Sequence, residues 1–235
     1  METETMQTEK KPSILGMIMS PGEQFARIKE NPRFWGALIT VTLLNTLLIT
    51  LSMFLIVGTP EGQEEMMSQV NGQEVSDAML EGMKWMMVGV GALGMLFVYP
   101  IVILLTTLLH WFLMRMVNSD ITYRQTLSVN SYAMVISLLG STLLVVTIAT
   151  GIYQPLLDEI STYPTSLASM VETESAVVGA LLSTIEIFTI WQLILTAMGL
   201  SIVGSVSRGK GWTVALVVFS LGVLLNVVGA MIGMA

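Results

Sequence analysis

The chain has 235 residues, of which 53% are hydrophobic and 11% charged, and its mean hydropathy is +0.75. That composition excludes the soluble classes and reads as a membrane protein. Twenty glycines, 19 methionines and 7% aromatics suit helical spans better than the short alternating strands of a barrel. With no cysteine and one histidine, His110, disulfides, thiolate metal sites, a cysteine nucleophile and a His-rich zinc site are all excluded. No cofactor and no nucleic-acid partner are expected. The net charge of −7 describes loops more than partners.

Residues 1–11 are polar and the apolar stretch 14–19 is too short for a signal peptide, so the first span is expected to stay as an anchor. Ser20, Pro21 and Glu23 read as a helix start, with Ser20 capping and Glu23 completing a capping box. The spacing predicts a short helix over Pro21–Glu30, with Phe25 and Ile28 on one face, Arg27 and Lys29 elsewhere, and Asn31-Pro32 ending it. Such a helix lies on the inner leaflet or docks a partner.

Apolar runs long enough to cross about 30 Å of hydrocarbon follow at residues 34–57, 85–114, 125–151, 176–206 and 212–233. Each must satisfy its own backbone in lipid, which predicts an all-α, polytopic five-transmembrane-helix bundle with a short N-terminal interfacial helix. Two regions are expected: a cytoplasmic segment over 1–33 and a membrane region over 34–235. The second and fourth runs are long enough to tilt or to project beyond the bilayer. Ser76 and Asp77 begin a helix that leads into the second span. Tyr99-Pro100 is expected to break that span.

Nine of the ten Lys and Arg residues precede the first span or fall between spans two and three or four and five; Lys84 alone is on the other side. The positive-inside rule then places the N-terminus in the cytoplasm, and five spans place the C-terminus outside. The outer loops carry Glu61, Glu64, Glu65, Glu74, Asp77 and Glu81, then Asp158, Glu159, Glu172 and Glu174. Either they solubilise the loops or they attract cations and cationic peptides.

Glu186 is the acid set well inside a span, about 30 Å from the inner end of the fourth run. Asn226, Tyr99, Ser137 and Ser141 share comparable depth, so a protonated Glu186 is expected to donate to one of them, or else to relay a proton or cation. His110, near the inner end of the second span, is expected to bond a neighbouring helix, with a pH sensor as the alternative. No HExxH, GxSG or Walker sequence occurs, and Asp77, Asp120 and Asp158 all fall in loops, so no enzyme is expected. No matching halves suggest a transporter. Gly229 and Gly233, or Ser201 and Ser205, suit close helix packing or a membrane-protein partner.

Three segments are more specific. Residues 20–28 with Asn31-Pro32 resemble the P-x-x-x-F-x-x-I…P start of the Yip domain family. Arg115 to Asn118 through Tyr132 resembles its connection between spans two and three, and Ile190-Trp191 through Gly199-Leu200, Ser205 and Lys210 resembles its fourth span and following turn. The resemblance covers nearly the whole chain and is closest to the bacterial branch. It implies five spans and no catalytic residues. Eukaryotic relatives are implied to serve vesicle trafficking, and bacterial ones to accompany ABC-type efflux systems in assembly or toxic-peptide defence. The leading expectation is an accessory or scaffold protein of a bacterial cytoplasmic membrane, contacting lipid and ABC transporter subunits, or forming a homo-oligomer. Its expected contact residues are Phe25, Arg27, Ile28, Arg115, Arg124, Arg208 and Lys210. The alternative is a small permease or ion-coupled transporter using Glu186.

Overall fold

The computed structural model describes residues 11–68, 76–155, 162–171 and 173–233; Lys10, Glu74, Asp158, Glu159 and Glu172 lie outside the described residues. It is helical: α1 (Ile14–Met19), α2 (Pro21–Glu30), α3 (Trp35–Val57), α4 (Pro60–Ser68), α5 (Asp77–Met116), α6 (Tyr123–Ala133), α7 (Val135–Ala149), α8 (Ala176–Thr184), α9 (Ile187–Val203) and α10 (Arg208–Met231). Among the described residues four units are long and apolar enough to cross a membrane: α3, α5, the continuous α6–α7 pair, and α10.

Helix α5 starts where expected, with the Ser76 side chain accepting from the Met79 N–H. Its 40 residues give a rod of about 60 Å, twice the hydrocarbon thickness. Pro100 does not break it, contrary to the sequence expectation, because a spanning helix tolerates one missing backbone bond when neighbouring elements support it. A capping box of Thr122 and Gln125 starts α6. Met134, in helical geometry, joins α6 to α7, and the Ser137 hydroxyl donates to the Met134 carbonyl at 2.7 Å.

The fourth apolar run was expected to be one helix and is two. Ile185 and Glu186 leave helical geometry, Glu186 being extended (φ −133°, ψ 139°). The loop before α8 fills the gap: Ser166 pairs with Glu186 in an antiparallel bridge, and the Leu167 N–H donates to the Ile185 carbonyl at 3.1 Å. Helix α10 packs against both halves. A Cβ on Gly211 would meet Ser201 and Ala197 of α9, and Ala176 to Ser183 of α8 face Leu225 to Gly233 across a groove. The broken pair α8–α9 therefore runs antiparallel along α10.

Residues 126–133 of α6 are all buried, enclosed by α2, α3, α5 and α9, although four of the eight are Thr, Ser or Asn. The N-terminal helices dock onto this stretch. Phe25 and Ile28 are wholly buried, and the Phe25 ring and Val129 converge on Gly199 of α9. Gln125 donates to the Lys29 carbonyl at 3.0 Å, Arg124 to the Pro32 carbonyl at 3.0 Å, and Tyr132 to the Pro12 carbonyl at 3.2 Å. Helix α2 therefore does not lie free with an apolar face for lipid or partner: that face belongs to the core. The expected Ser20 capping box is absent as well. Ser20 Oγ donates back to the Gly16 carbonyl and Glu23 pairs with Arg27, while Pro21 alone sets the helix start.

Candidate functional site: a polar network inside the bundle

Asn45 on α3 is 2% exposed in the middle of an otherwise apolar helix. Its amide nitrogen donates to Ser137 Oγ at 2.8 Å and to Tyr99 OH at 3.1 Å, and its amide oxygen accepts from Ser141 Oγ at 2.8 Å. Tyr99 and Ser137 are themselves 3.1 Å apart, and Ser141 lies 3.3 Å from Tyr163 OH. One amide thus joins α3, α5, α7 and the second outer loop, as interhelical polar groups do in lipid. Gly140 makes room, since a Cβ there would stand 3.1 Å from the Phe188 ring and 3.3 Å from that of Tyr163.

Glu186, at the break between α8 and α9 that the same loop fills, does not donate to any of the residues expected at its depth. It is 2% exposed and caps α9. Oε1 accepts from the Phe188 N–H at 2.9 Å and the Thr165 hydroxyl at 2.6 Å, and Oε2 accepts from the Thr189 N–H at 2.6 Å. The carboxyl group accepts three bonds in place of donating one, because the broken helix presents its free N-terminal amides directly to it. Tyr99, Ser137 and Ser141 do gather as their depth suggested, around Asn45. Asn226 does not join them: it is exposed and lines the groove between α8 and α10 with Tyr153 and Ser183. Asn45 escaped the sequence reading although one amide in the middle of the first span was a visible signal.

His110 is buried and bonds a neighbouring helix as expected, its Nδ1 lying 3.2 Å from Asn130 Nδ2, which also donates to Thr107 Oγ1 at 2.9 Å. Among the described residues no three His, Asp or Glu side chains converge in a way that could hold a metal ion.

The basic residues of the turns after α5 and α9 hold those turns together. Lys210 donates to the Val117 carbonyl at 2.9 Å, Ser119 to the Gly204 carbonyl at 2.8 Å, and Arg115 to the Ser119 carbonyl at 3.4 Å while pairing with Asp120 at 3.6 Å. Asn118 (φ 61°) and Ser205 (φ 52°) close α5 and α9 in left-handed geometry, so two Schellman-type turns interlock at one end of the bundle. Arg115, Arg124, Arg208 and Lys210 stay exposed there; Arg27 is held by Glu23, Gln24 and the Lys11 carbonyl. Phe25 and Ile28, expected to meet a partner, face inward and cannot.

Membrane protein YknW of Bacillus subtilis (strain 168) is 29% identical over 230 residues, which is 95% of this chain and 92% of that relative. No solved structure matches the chain. Residues 15–231, from α1 to the end of α10 and across the boundary expected near residue 33, match the Yip1 domain. This membrane protein belongs to the Yip1 domain family.

Proposed function

We propose that the chain is a non-enzymatic accessory or scaffold protein of a bacterial cytoplasmic membrane that assists the assembly or activity of an ABC-type export system. The observation that carries this reading is the state of Glu186. All three of its hydrogen bonds come from the chain's own Phe188, Thr189 and Thr165, which is the pattern of a structural cap. Asn45 and Asn130 join helices inside the bundle, and the surface left for others is apolar helix faces and the exposed Arg115, Arg124, Arg208 and Lys210.

The membrane passes five times in this reading. The α8–α9 pair supports it, for its two halves add to about 39 Å and run beside α10, itself long enough to cross. The basic turns then face the cytoplasm, with the N-terminus inside and the C-terminus outside.

Gentle-detergent capture of the tagged full chain, with mass spectrometry of what co-purifies, tests the role. Near-stoichiometric recovery of an ABC permease or its adaptor-like subunit is expected; a partnerless monomer or homo-oligomer overturns it. The groove of about 850 Å³ between α8 and α10 favours a second reading, a small permease. Ion or solute flux in proteoliposomes that Glu186→Gln abolishes, with the fold intact, selects that reading.

A further inference from the structure

Helix α1 has two faces. Met17 is wholly buried, and Ile14 and Ile18 pack on the core, whereas Leu15 and Met19, one turn apart, are 73% and 87% exposed. Its position along the α6–α7 span decides what those side chains meet. Tyr132, nine residues into a span that begins at Tyr123, holds the Pro12 carbonyl, so residue 12 sits about 13 Å along that helix from its basic end. From there α1 also touches α7, which begins at Val135, the middle of the span.

Helix α2 then returns beside α6 toward its start. Phe25 meets Val129 at Gly199, and the Lys29 and Pro32 carbonyls meet Gln125 and Arg124. The chain composition follows the same path. Residues 12–22 carry no charge, and the first charged pair after them, Glu23 and Arg27, neutralise each other.

We propose that residues 12–20 are a re-entrant element that dips into the basic-side leaflet and presents Leu15 and Met19 to phospholipid acyl chains. Two facts select acyl chains over water or a protein partner: the contact of α1 with α7 at the middle of the span, and the absence of charge from residues 12–22, the nearest cations, Lys11 and the Arg27 guanidinium on its carbonyl, standing at the N-terminal edge of the element. An exposed Leu and Met at the middle of a span cost nothing when the surroundings are hydrocarbon, and would be unfavourable in water. The element is also braced for such a position, because its turn is closed internally by the Gln24 side-chain Oε1 accepting from the Ser13 N–H at 2.9 Å.

The chain has no cysteine, so single-cysteine variants need no background changes. Leu15→Cys and Met19→Cys, both at exposed positions, would be spin-labelled in the full chain reconstituted in phosphatidylcholine vesicles. Their relaxation by oxygen, which concentrates in hydrocarbon, would be compared with that by a water-soluble nickel chelate. Leu105→Cys on the exposed face of α5 and Glu30→Cys at the end of α2 serve as the two references. Both test sites are expected to favour oxygen over nickel several-fold, as Leu105→Cys does. A ratio like that of Glu30→Cys overturns the proposal in favour of an aqueous face. Protection from both reagents overturns it in favour of a protein cover, such as a second copy of the chain.

Discussion

The Thr165 hydroxyl donates to Glu186 Oε1 at 2.6 Å, so an outer-loop side chain closes the break between α8 and α9. Removing the carboxyl leaves three donors without an acceptor in a nearly water-free place. Glu186→Ala should cost about 2–3 kcal/mol, combining a lost N-cap with unsatisfied buried donors. Glu186→Gln retains one acceptor oxygen and should cost clearly less, and Thr165→Val about 1 kcal/mol. Thermal unfolding of the purified full chain in detergent checks the order; equal losses for Gln and Ala would contradict the capping role.

A packing prediction follows from Gly199. A Cβ there would stand 2.6 Å from both Phe25 Cε1 and Val129 Cγ1. Gly199→Ala should therefore destabilise by about 1–3 kcal/mol, the usual range for overpacking a closed core. Shortening the ring in Gly199→Ala with Phe25→Leu should recover part of that loss, giving a non-additive pair. Additive losses in the same unfolding assay would mean that α2 does not pack on α9 as described.

The spans and the polar site differ in how legible they are in the amino-acid sequence. Spans were legible because lipid imposes length and apolarity on them, and the start of α5 was legible because Ser76 is a local cap. The break at Glu186 was not, since it depends on Ser166 and Thr165, about 20 residues away along the chain, supplying a bridge and a donor. Nor was the inward turn of Phe25 and Ile28. Amphipathicity says that one face of α2 must be covered, but only the space at Gly199 decides that α6 and α9 cover it instead of lipid. Depth matching found Tyr99, Ser137 and Ser141 and assigned them to the wrong centre, because an acid was weighed above the single amide of Asn45.

Asn45 joins three helices through three side-chain partners, each bond worth about 0.6 kcal/mol on average in membrane bundles. Asn45→Ala should then cost about 2 kcal/mol, and Asn45→Leu more, because the larger side chain must fit where the amide touched Ser137 and Ser141. Combining Asn45→Ala with Ser141→Ala should be less than additive. Full additivity would show that the network does not act as a unit.

Ser205 closes α9 at φ 52°, a conformation that costs an ordinary L-residue about 1 kcal/mol and glycine almost nothing. Ser205→Gly should raise stability by about 0.5–1 kcal/mol, and Ser205→Val, which is β-branched, should lower it. Unfolding midpoints that move the other way would place the turn outside left-handed geometry.

The side on which the chain ends depends on α8 and α9. If the broken pair crosses, the two termini lie on opposite faces; if it only dips in and returns, they share one. The antiparallel run beside α10 and the combined length of about 39 Å make a crossing the expected result. A reporter active only outside the cytoplasm, fused after residue 235, should be active, and one fused between Arg208 and Lys210 should be silent. A silent C-terminal fusion beside a fluorescent cytoplasmic one at the same point would leave four crossings, with Glu186 capping a re-entrant helix.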